Sequence, residues 1–312
     1  MTIGTQHIRG KPPARQIDPL PAEDLDTSGL VGAINHRLEQ LLPHENATPR
    51  SLRDAMAFSL LAPGKRLRPL LTILTSMHFG GRDLVALDAA CAIEMVHTAS
   101  LILDDLPAMD DSLVRRGKPT VHRAFGEDIA ILSSVALLNH AFGILATHAH
   151  VRAETRTELV RVVTAAIGTE GLIGGQVLDL KLKSDPTSDD ELGRINGLKT
   201  AALFGAAAEA GALVAGVKAE MLEIVRQFAL ELGSAFQIAD DLLDDPTYAG
   251  TTGKDTGKDR NKPTILSARG KDDTRRLLHT HLDAARKCLE RTGSADRRLA
   301  TILDRGFARF LS

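Results

Sequence analysis

Two clusters of aspartates, each at the end of an apolar and helix-like run, constrain this 312-residue chain more than any other feature. The clusters are Asp104, Asp105, Asp110 and Asp111, and Asp240, Asp241, Asp244 and Asp245. Two carboxylates about 4 Å apart repel each other by roughly 4 kcal/mol at an effective dielectric constant of about 20. A fold that keeps such clusters beside its core is therefore expected to bind hard cations there. Ligands that are all oxygen atoms favour Mg²⁺, which is usually shared with a substrate phosphate.

The composition favours a helical protein. The chain is 43% hydrophobic, yet only 3% of its residues are aromatic, with no Trp and one Tyr. Ala and Leu favour helices, whereas the residues typical of strands are scarce. The formal net charge of -2 gives no reason to expect a nucleic-acid partner. Cys91 and Cys288 form no metal or redox motif, so reduced thiols and a cytoplasmic location are expected.

Helical periodicity dominates from about residue 30 onward, which predicts one large helical domain over residues 30–312 after a flexible tail, residues 1–29. The expected helices are roughly 30–42, 50–60, 67–79, 83–105, 123–148, 154–170, 189–213, 217–244, 273–290 and 295–311. No strand pair is predicted. Residues 245–263 are rich in Gly, Lys and Asp and are expected to form a loop over a site.

One stretch has the length of a membrane span. Residues 129–147 carry no charge, but they include two serines, an asparagine, a histidine and a glycine, and no second span is found. We therefore predict a buried or dimer-contact helix there and no transmembrane segment.

The spacing within the clusters suggests how their carboxylates converge. Asp240 and Asp244 are four residues apart and face the same side of a helix. Asp104 and Asp110 are six apart, so a regular helix would point them in different directions. Pro107 disfavours the helix between them, and a bulge of about two residues there would return both to one face. A solvated helix end is the usual explanation of one acidic pair, but two clusters that each follow an apolar helix argue against it.

Basic residues accompany both clusters. Lys65 and Arg68 share a face at a helix N-terminus, which itself favours anions. His97 lies seven residues before Asp104, about two turns up the same helix. The other basic residues near the clusters are Arg115, Arg116, Lys118, Lys199, Lys254 and Lys262. Each alone is more often a surface charge, but together they suit two diphosphates and several Mg²⁺ ions.

In order and spacing these motifs resemble the trans-prenyltransferases of the polyprenyl diphosphate synthase family. Residues 104–110, followed by Arg115-Arg116-Gly117, are similar to the family's first aspartate-rich motif, and residues 236–244 are similar to the second. The remaining motif places are filled, in the family order, by residues 64–69, 174–176, 199–200 and 253–254. The resemblance covers about residues 30–290. Residues 95–103 most resemble the bacterial geranylgeranyl diphosphate synthases of carotenoid pathways.

The resemblance implies an all-α, single-domain bundle with a deep central cavity, the isoprenoid synthase fold, and a homodimer. It implies three Mg²⁺ ions, bound by Asp104, Asp110 and Asp240 with Asp105, Asp241 and Asp244 in support. The implied ligands of an allylic diphosphate are Arg115, Lys199 and Lys254. The implied ligands of isopentenyl diphosphate are Lys65, Arg68, His97 and Arg116. Lys262 is a further substrate-binding candidate, although it follows Asp259 by three residues where many relatives show five.

The implied reaction is a head-to-tail condensation. Mg²⁺ and basic residues neutralise the departing diphosphate, so that the C–O bond ionises to an allylic cation. Oxygens near Thr200 and Gln237 can stabilise that cation while the isopentenyl double bond attacks it. Ala99 and Ser100 lie five and four residues before Asp104, and both are small. The growing chain is therefore expected to pass beyond fifteen carbons. The resemblance to carotenoid-pathway enzymes favours a stop at twenty carbons, geranylgeranyl diphosphate, with farnesyl or longer products as the alternatives.

Three alternatives use the same motifs differently. A class I terpene cyclase would ionise its substrate in the same way, but it would not need Lys65, Arg68 and His97. A non-catalytic regulatory subunit would be expected to lose motif aspartates, and none is lost. A metal-dependent phosphohydrolase would need His-rich or mixed metal ligands, which the motifs lack.

Overall fold

The computed structural model describes residues 27–182, 189–243 and 264–310, which form a single helical domain. Its α-helices are α1 Thr27–Leu41, α2 Arg50–Leu60, α3 Leu67–His78, α4 Asp83–Asp104, α5 Val121–Phe125, α6 Glu127–Ala146, α7 Ala153–Ile167, α8 Leu172–Leu182, α9 Asp189–Asn196, α10 Ala202–Val214, α11 Ala219–Leu243, α12 Ile265–Arg269, α13 Lys271–Arg291 and α14 Arg298–Gly306. Short 3-10 turns lie at Glu45–Ala47 and Ala308–Phe310. The predicted all-α class is confirmed. The predicted tail, apart from residues 27–29, and the whole predicted loop over residues 245–263 lie outside the described residues.

Helix α10 occupies the middle of the bundle. Nine of its 13 residues are buried, and most of these are Ala or Gly, so neighbouring helices approach it closely. It packs against α3, α7 and α11, while α4 packs against α3 and α6, and α11 against α13. Helices α3 and α10 begin, and α4 and the described part of α11 end, at the same end of the bundle. Motifs that are distant in sequence therefore meet at that end.

Two helix predictions are wrong at glycines. The stretch predicted as one helix over residues 123–148 is two, because Gly126 adopts φ +95°, which breaks the helix between α5 and α6. No helix was expected between residues 170 and 189, where the sequence has Gly174-Gly175, yet α8 runs through both glycines. Glycine in a helix interior costs about 1 kcal/mol relative to alanine, which tertiary packing can offset.

A β-hairpin that the sequence analysis did not predict follows the first aspartate cluster. Strands β1 (Val114–Arg115) and β2 (Lys118–Pro119) pair antiparallel, with Val114 opposite Pro119. Its two-residue loop is Arg116-Gly117, with φ +53° and +74°, the positive values that a tight hairpin turn requires. Strands of two residues carry no periodicity, so sequence pattern alone does not reveal them.

By length and composition three helical stretches could cross a membrane, where the sequence showed one stretch of that length and predicted no transmembrane segment. They are Val85–Asp104, Glu127–Ala146 and Glu191–Val214. Of their most apolar windows, 67, 39 and 61% respectively are buried within the bundle. The first and third therefore belong to the core. Helix α6 differs, because it buries one face and exposes apolar side chains on another, Ile131, Leu132 and Val135.

Candidate active site

The first aspartate cluster lies in a turn at the end of α4. The helix ends at Asp104, and the backbone N–H of Asp110 donates to the Asp104 carbonyl at 3.0 Å. The N–H of Ser112 donates to the Asp105 carbonyl at 3.2 Å, and Asp111 adopts φ +46°. The predicted return of Asp110 towards Asp104 therefore occurs, but a turn after the helix produces it rather than a bulge within the helix.

The electrostatics of Asp104 fit a cation site. Burial raises its pKa from the ordinary 3.8 to about 6, Lys199 opposes that rise, and the charge of Asp110 adds to it. A bound cation would relieve the repulsion between these carboxylates, and carboxylate oxygens are the ligands that Mg²⁺ prefers. Within the described part of the chain, no three His, Cys, Asp or Glu side chains already converge as a metal cluster. Asp244, one of the predicted supporting carboxylates, lies outside that part.

Arg115 is anchored to the first cluster. Its Nε donates to both carboxylate oxygens of Asp105 at 2.9 and 2.8 Å, and its Nη2 donates to Oδ1 at 2.7 Å. Asp105 is only 3% exposed. A planar guanidinium that meets a carboxylate through several hydrogen bonds fixes both groups. The interaction therefore ties the hairpin to the end of α4 and points Asp105 at Arg115.

Arg116 lies on the other side, against the loop before α3. A Cβ at Gly64 would lie 2.9 Å from Arg116 Nη1, so a larger residue there would displace the end of the Arg116 side chain. Arg68 Nη1 lies 3.4 Å from His97 Nε2, and the Arg68 guanidinium sits 4.5 Å from the centre of the Phe204 ring. The structure thus brings together the loop that carries Lys65 with the other three predicted isopentenyl diphosphate ligands. We call Lys65, Arg68, His97 and Arg116 the basic cluster.

Burial sets the protonation of this cluster. It lowers the pKa of Arg68 to about 10, which leaves the guanidinium charged at neutral pH. Burial and then the charge of Arg68 lower the pKa of His97 well below its ordinary value, so His97 is neutral at pH 7. Arg68 Nε is buried and has no hydrogen-bond partner among the described residues. An anion would supply the acceptor that this donor lacks.

The second cluster is joined to the Lys199-Thr200 motif. Thr200 Oγ1 donates to Gln237 Oε1 at 3.0 Å, and Gln237 Nε2 donates to Asp241 Oδ1 at 2.9 Å. The charge of Asp240 reaches Arg68, whose pKa it raises against the effect of burial. Thr200, Gln237 and Asp241 thus form one hydrogen-bonded network that joins the Lys199-Thr200 motif to α11. Lys254 and Lys262 lie outside the described residues.

A π-helix over Gly197–Ala201 presents Lys199 and Thr200, where the sequence analysis predicted a regular helix. Such single turns are common at functional sites. A Cβ at Gly175 would lie 2.7 Å from the backbone nitrogen of Lys199, so the glycine motif lets α8 pack directly on this turn. Lys199 Nζ also forms an ion pair with Asp179 Oδ2 at 2.7 Å.

Four polar residues of this region were given no role by the sequence: Gln176 and Arg66, which lie inside recognised motifs, and Asp179 and Glu94, which do not. Gln176 is 8% exposed, and neither polar atom of its amide has a hydrogen-bond partner among the described residues. Asp179 lies three residues further along α8, a spacing that places both on one helix face and that could have revealed it. Arg66 and Glu94 form a buried ion pair.

Ala99 and Ser100, the two residues predicted to set the product length, lie in the C-terminal half of α4, just over one turn before Asp104. Ala99 is fully buried, and its carbonyl accepts a hydrogen bond from Ser134 Oγ of α6 at 2.9 Å. Ser100 Oγ donates to the carbonyl of His97 at 2.9 Å. Small residues on both helices therefore face each other one turn below the aspartates.

Comparisons with known proteins agree with this arrangement. The family model for polyprenyl synthetase matches residues 49–295. A geranylgeranyl diphosphate synthase of Pantoea ananas is 42% identical over 259 residues, 82% of this chain and 84% of that protein. A farnesyl diphosphate synthase of Bacillus subtilis is 40% identical over 248 residues, 77% of this chain and 83% of that protein. The crystal structure of an FPP/GFPP synthase from Zymomonas mobilis superposes with a TM-score of 0.80 at 35% identity, covering 89% of this chain and 95% of that one.

Proposed function

Because the chain belongs to the polyprenyl synthetase family and is a prenyltransferase of isoprenoid biosynthesis, we propose that it condenses isopentenyl diphosphate with allylic diphosphates. The proposed main product is geranylgeranyl diphosphate. Relatives that carry this name are 42% and 41% identical to the chain over 259 residues. The small Ala99 and Ser100 support the same product, since neither blocks a chain that grows past them.

The observation that carries this proposal is that basic residues gather in two separate places. The basic cluster is built around the start of α3, and the charge of Lys199 acts on Asp104. A condensation needs two diphosphates held side by side, one to ionise and one to keep its diphosphate. A class I terpene cyclase needs only the first, so the basic cluster favours condensation.

The carboxylates of Asp104, Asp110 and Asp240 would hold Mg²⁺, proposed as three ions, which neutralises the charge that develops on the departing diphosphate. Lys199 and Arg115 bind the same diphosphate, and Arg115 keeps its orientation through Asp105. Asp241 accepts from the Gln237 amide and so turns the amide oxygen towards Thr200. These two oxygens then lie where a positive carbon can be stabilised by dipoles.

The basic cluster holds isopentenyl diphosphate with its double bond directed at that carbon. Charged Arg68 and Arg116 neutralise the second diphosphate, while neutral His97 contributes a hydrogen bond rather than a charge. No side chain of the network is placed as a general base, so the departing diphosphate is the acceptor we propose for the proton. The proton transfer then stays within the active site.

Separate anion sites predict separate effects of two matched substitutions. Lys65→Met should raise the KM for isopentenyl diphosphate about 10- to 100-fold, the loss expected for a hydrogen bond between charged groups, and leave the KM for the allylic substrate nearly unchanged. Lys199→Met should do the reverse. Lys287→Met, at an exposed position of α13 outside both sites, is the control and should alter neither. If Lys65→Met moved only the allylic KM, the two assignments would have to be exchanged.

We also propose that the protein is a homodimer through α6. Ile131, Leu132 and Val135 of this helix are 45, 54 and 56% exposed, an apolar face that water would otherwise cover. Val135→Glu should therefore convert a particle of about twice 33.5 kDa into the monomer, measured by light scattering. Leu113→Glu, an equally exposed residue outside α6, should leave the mass unchanged. A monomeric wild type would refute the proposal.

A further inference from the structure

A buried ion pair lies directly behind the basic cluster. Arg66 and Glu94 are 3% and 2% exposed, and Arg66 Nη1 donates to Glu94 Oε1 at 2.7 Å. Burying two charges costs more free energy of desolvation than keeping an ion pair at the surface. Apolar residues of similar volume often stabilise a fold as well or better. Stability alone therefore does not account for the pair, and its position beside an anion site suggests another purpose.

The guanidinium of Arg66 joins three helices. Its Nε donates to Asn35 Oδ1 of α1 at 2.9 Å, and its Nη2 donates to the carbonyls of Leu60 and Ala62, at the end of α2, at 2.9 and 3.0 Å. Together with the hydrogen bond to Glu94 of α4, the planar guanidinium group, a fork of N–H donors, therefore donates to four acceptors. A lysine could supply the charge but not this set of hydrogen bonds.

The same residue holds an unusual backbone conformation. Arg66 adopts φ +49° and ψ +35°, the left-handed region, immediately before α3 begins at Leu67. A residue other than glycine keeps this conformation only where the surrounding structure determines it. The turn sets the direction of the residues on either side, Lys65 and Arg68. The fork of Arg66 therefore fixes the backbone from which two members of the basic cluster project.

Glu94 connects this turn to the remaining members of the cluster. It lies three residues, about one helical turn, before His97 on α4. Its negative charge also acts on Arg68 and Arg116, whose pKa values it raises against the lowering effect of burial. One carboxylate thus faces the guanidinium groups of Arg66, Arg68 and Arg116.

We infer that Arg66, held by Glu94, is a positioning residue for the isopentenyl diphosphate site. The inference rests on the proposed function, because it assumes that the basic cluster binds that substrate. Arg66 does not contact the diphosphate. It sets the distance between the loop before α3 and the face of α4, so that the cluster is assembled before the substrate arrives.

The first test is Arg66→Lys, which keeps the charge and removes the fork. Titration calorimetry should show the Kd for isopentenyl diphosphate rising at least tenfold, while the Kd for farnesyl diphosphate with Mg²⁺ changes less than twofold. The matched control is Arg37→Lys. Arg37 pairs with Asp88 through two hydrogen bonds of 2.7 and 3.1 Å, also between α1 and α4 but far from the site. It should lower Tm without altering either Kd.

The second variant, Glu94→Gln, distinguishes a positioning role from a purely electrostatic one, because the two roles predict opposite changes in the affinity for isopentenyl diphosphate. Glu94→Gln removes a negative charge beside an anion site, so electrostatics alone would tighten isopentenyl diphosphate binding. The positioning role predicts weaker binding, because Arg66 loses its counter-charge and the turn relaxes. This variant decides the question if Arg66→Lys does not fold. Tighter or unchanged binding by Glu94→Gln would overturn the inference.

The remaining outcomes distinguish the positioning role of Arg66 from the proposed condensation of isopentenyl diphosphate, on which that role rests. Equal weakening for both substrates, or an unchanged Kd in folded Arg66→Lys, would refute the positioning role and leave the proposed function standing. A wild-type protein that binds no isopentenyl diphosphate would refute the proposed function and this inference with it.

Discussion

Asp104→Asn should lower kcat for prenyl transfer at least about a thousandfold, equivalent to roughly 4 kcal/mol of lost transition-state stabilisation. The substitution keeps the shape of the side chain and removes the charge that would hold Mg²⁺ at the departing diphosphate. Steady-state rates with isopentenyl diphosphate, farnesyl diphosphate and Mg²⁺ measure the effect. Asp111→Asn is the matched control, because Asp111 is an exposed neighbour whose positive φ asparagine tolerates. It should keep most of the activity.

Stability measurements separate this loss from unfolding. The pKa of Asp104 is raised to about 6, so the folded protein disfavours the carboxylate relative to the unfolded chain. Asp104→Asn should therefore stabilise the metal-free protein above pH 6, by at most about 3 kcal/mol at 1.36 kcal/mol per pKa unit. The gain should shrink as pH falls towards 4, where folded wild-type protein is already protonated. An inactive and destabilised Asp104→Asn would contradict the account, as would near-normal activity.

Ala99→Phe should shorten the main product from twenty carbons to fifteen. Ala99 of α4 is fully buried, its carbonyl accepts a hydrogen bond from Ser134 of α6, and it lies just over one turn before Asp104. A phenyl ring there would occupy the path along α4 that a longer chain needs, while the aspartates and the basic cluster stay in place. Chain-length analysis of the products by chromatography measures the change.

The expected control for chain length is Ala99→Ser, which adds a single oxygen atom and should keep the twenty-carbon product. The rate of the first condensation should be similar in both variants, because ionisation occurs at the other end of the substrate. An unchanged length distribution in Ala99→Phe would show that the chain does not pass this residue. A wild type that stops at fifteen carbons would show that the small residues do not set the length.

Much of the fold follows from sequence periodicity, because most helices here bury a stripe of apolar residues. Helix α1 buries Leu30, Ile34 and Leu38 at four-residue spacing, and α11 has a similar stripe. The failures occur where tertiary contacts override local preference. Helix α8 continues through Gly174-Gly175, and Gly175 packs on the turn that carries Lys199. That turn is a π-helix, which no simple pattern predicts.

The candidate site was predictable as a set of residues but not as a geometry. Spacing placed Lys65 and Asp104 at helix ends and His97 about two turns before Asp104, and the packing of α3 against α4 brings these residues together. The connection of Arg66 to Glu94 was not predictable in this way. Arg66 stands among other basic residues and resembles a further surface charge, and only its burial and left-handed backbone distinguish it.

One series of incubations tests most directly whether the protein condenses isopentenyl diphosphate with allylic diphosphates. Purified protein is given isopentenyl diphosphate, Mg²⁺ and dimethylallyl, geranyl or farnesyl diphosphate in turn, and the products are identified by mass spectrometry. We expect each allylic primer to be extended to geranylgeranyl diphosphate. One diphosphate should be released for each isopentenyl unit consumed, and no product should form when Mg²⁺ is chelated. Conversion of an allylic diphosphate to a cyclic or hydrolysed product without consumption of isopentenyl diphosphate would contradict this expectation.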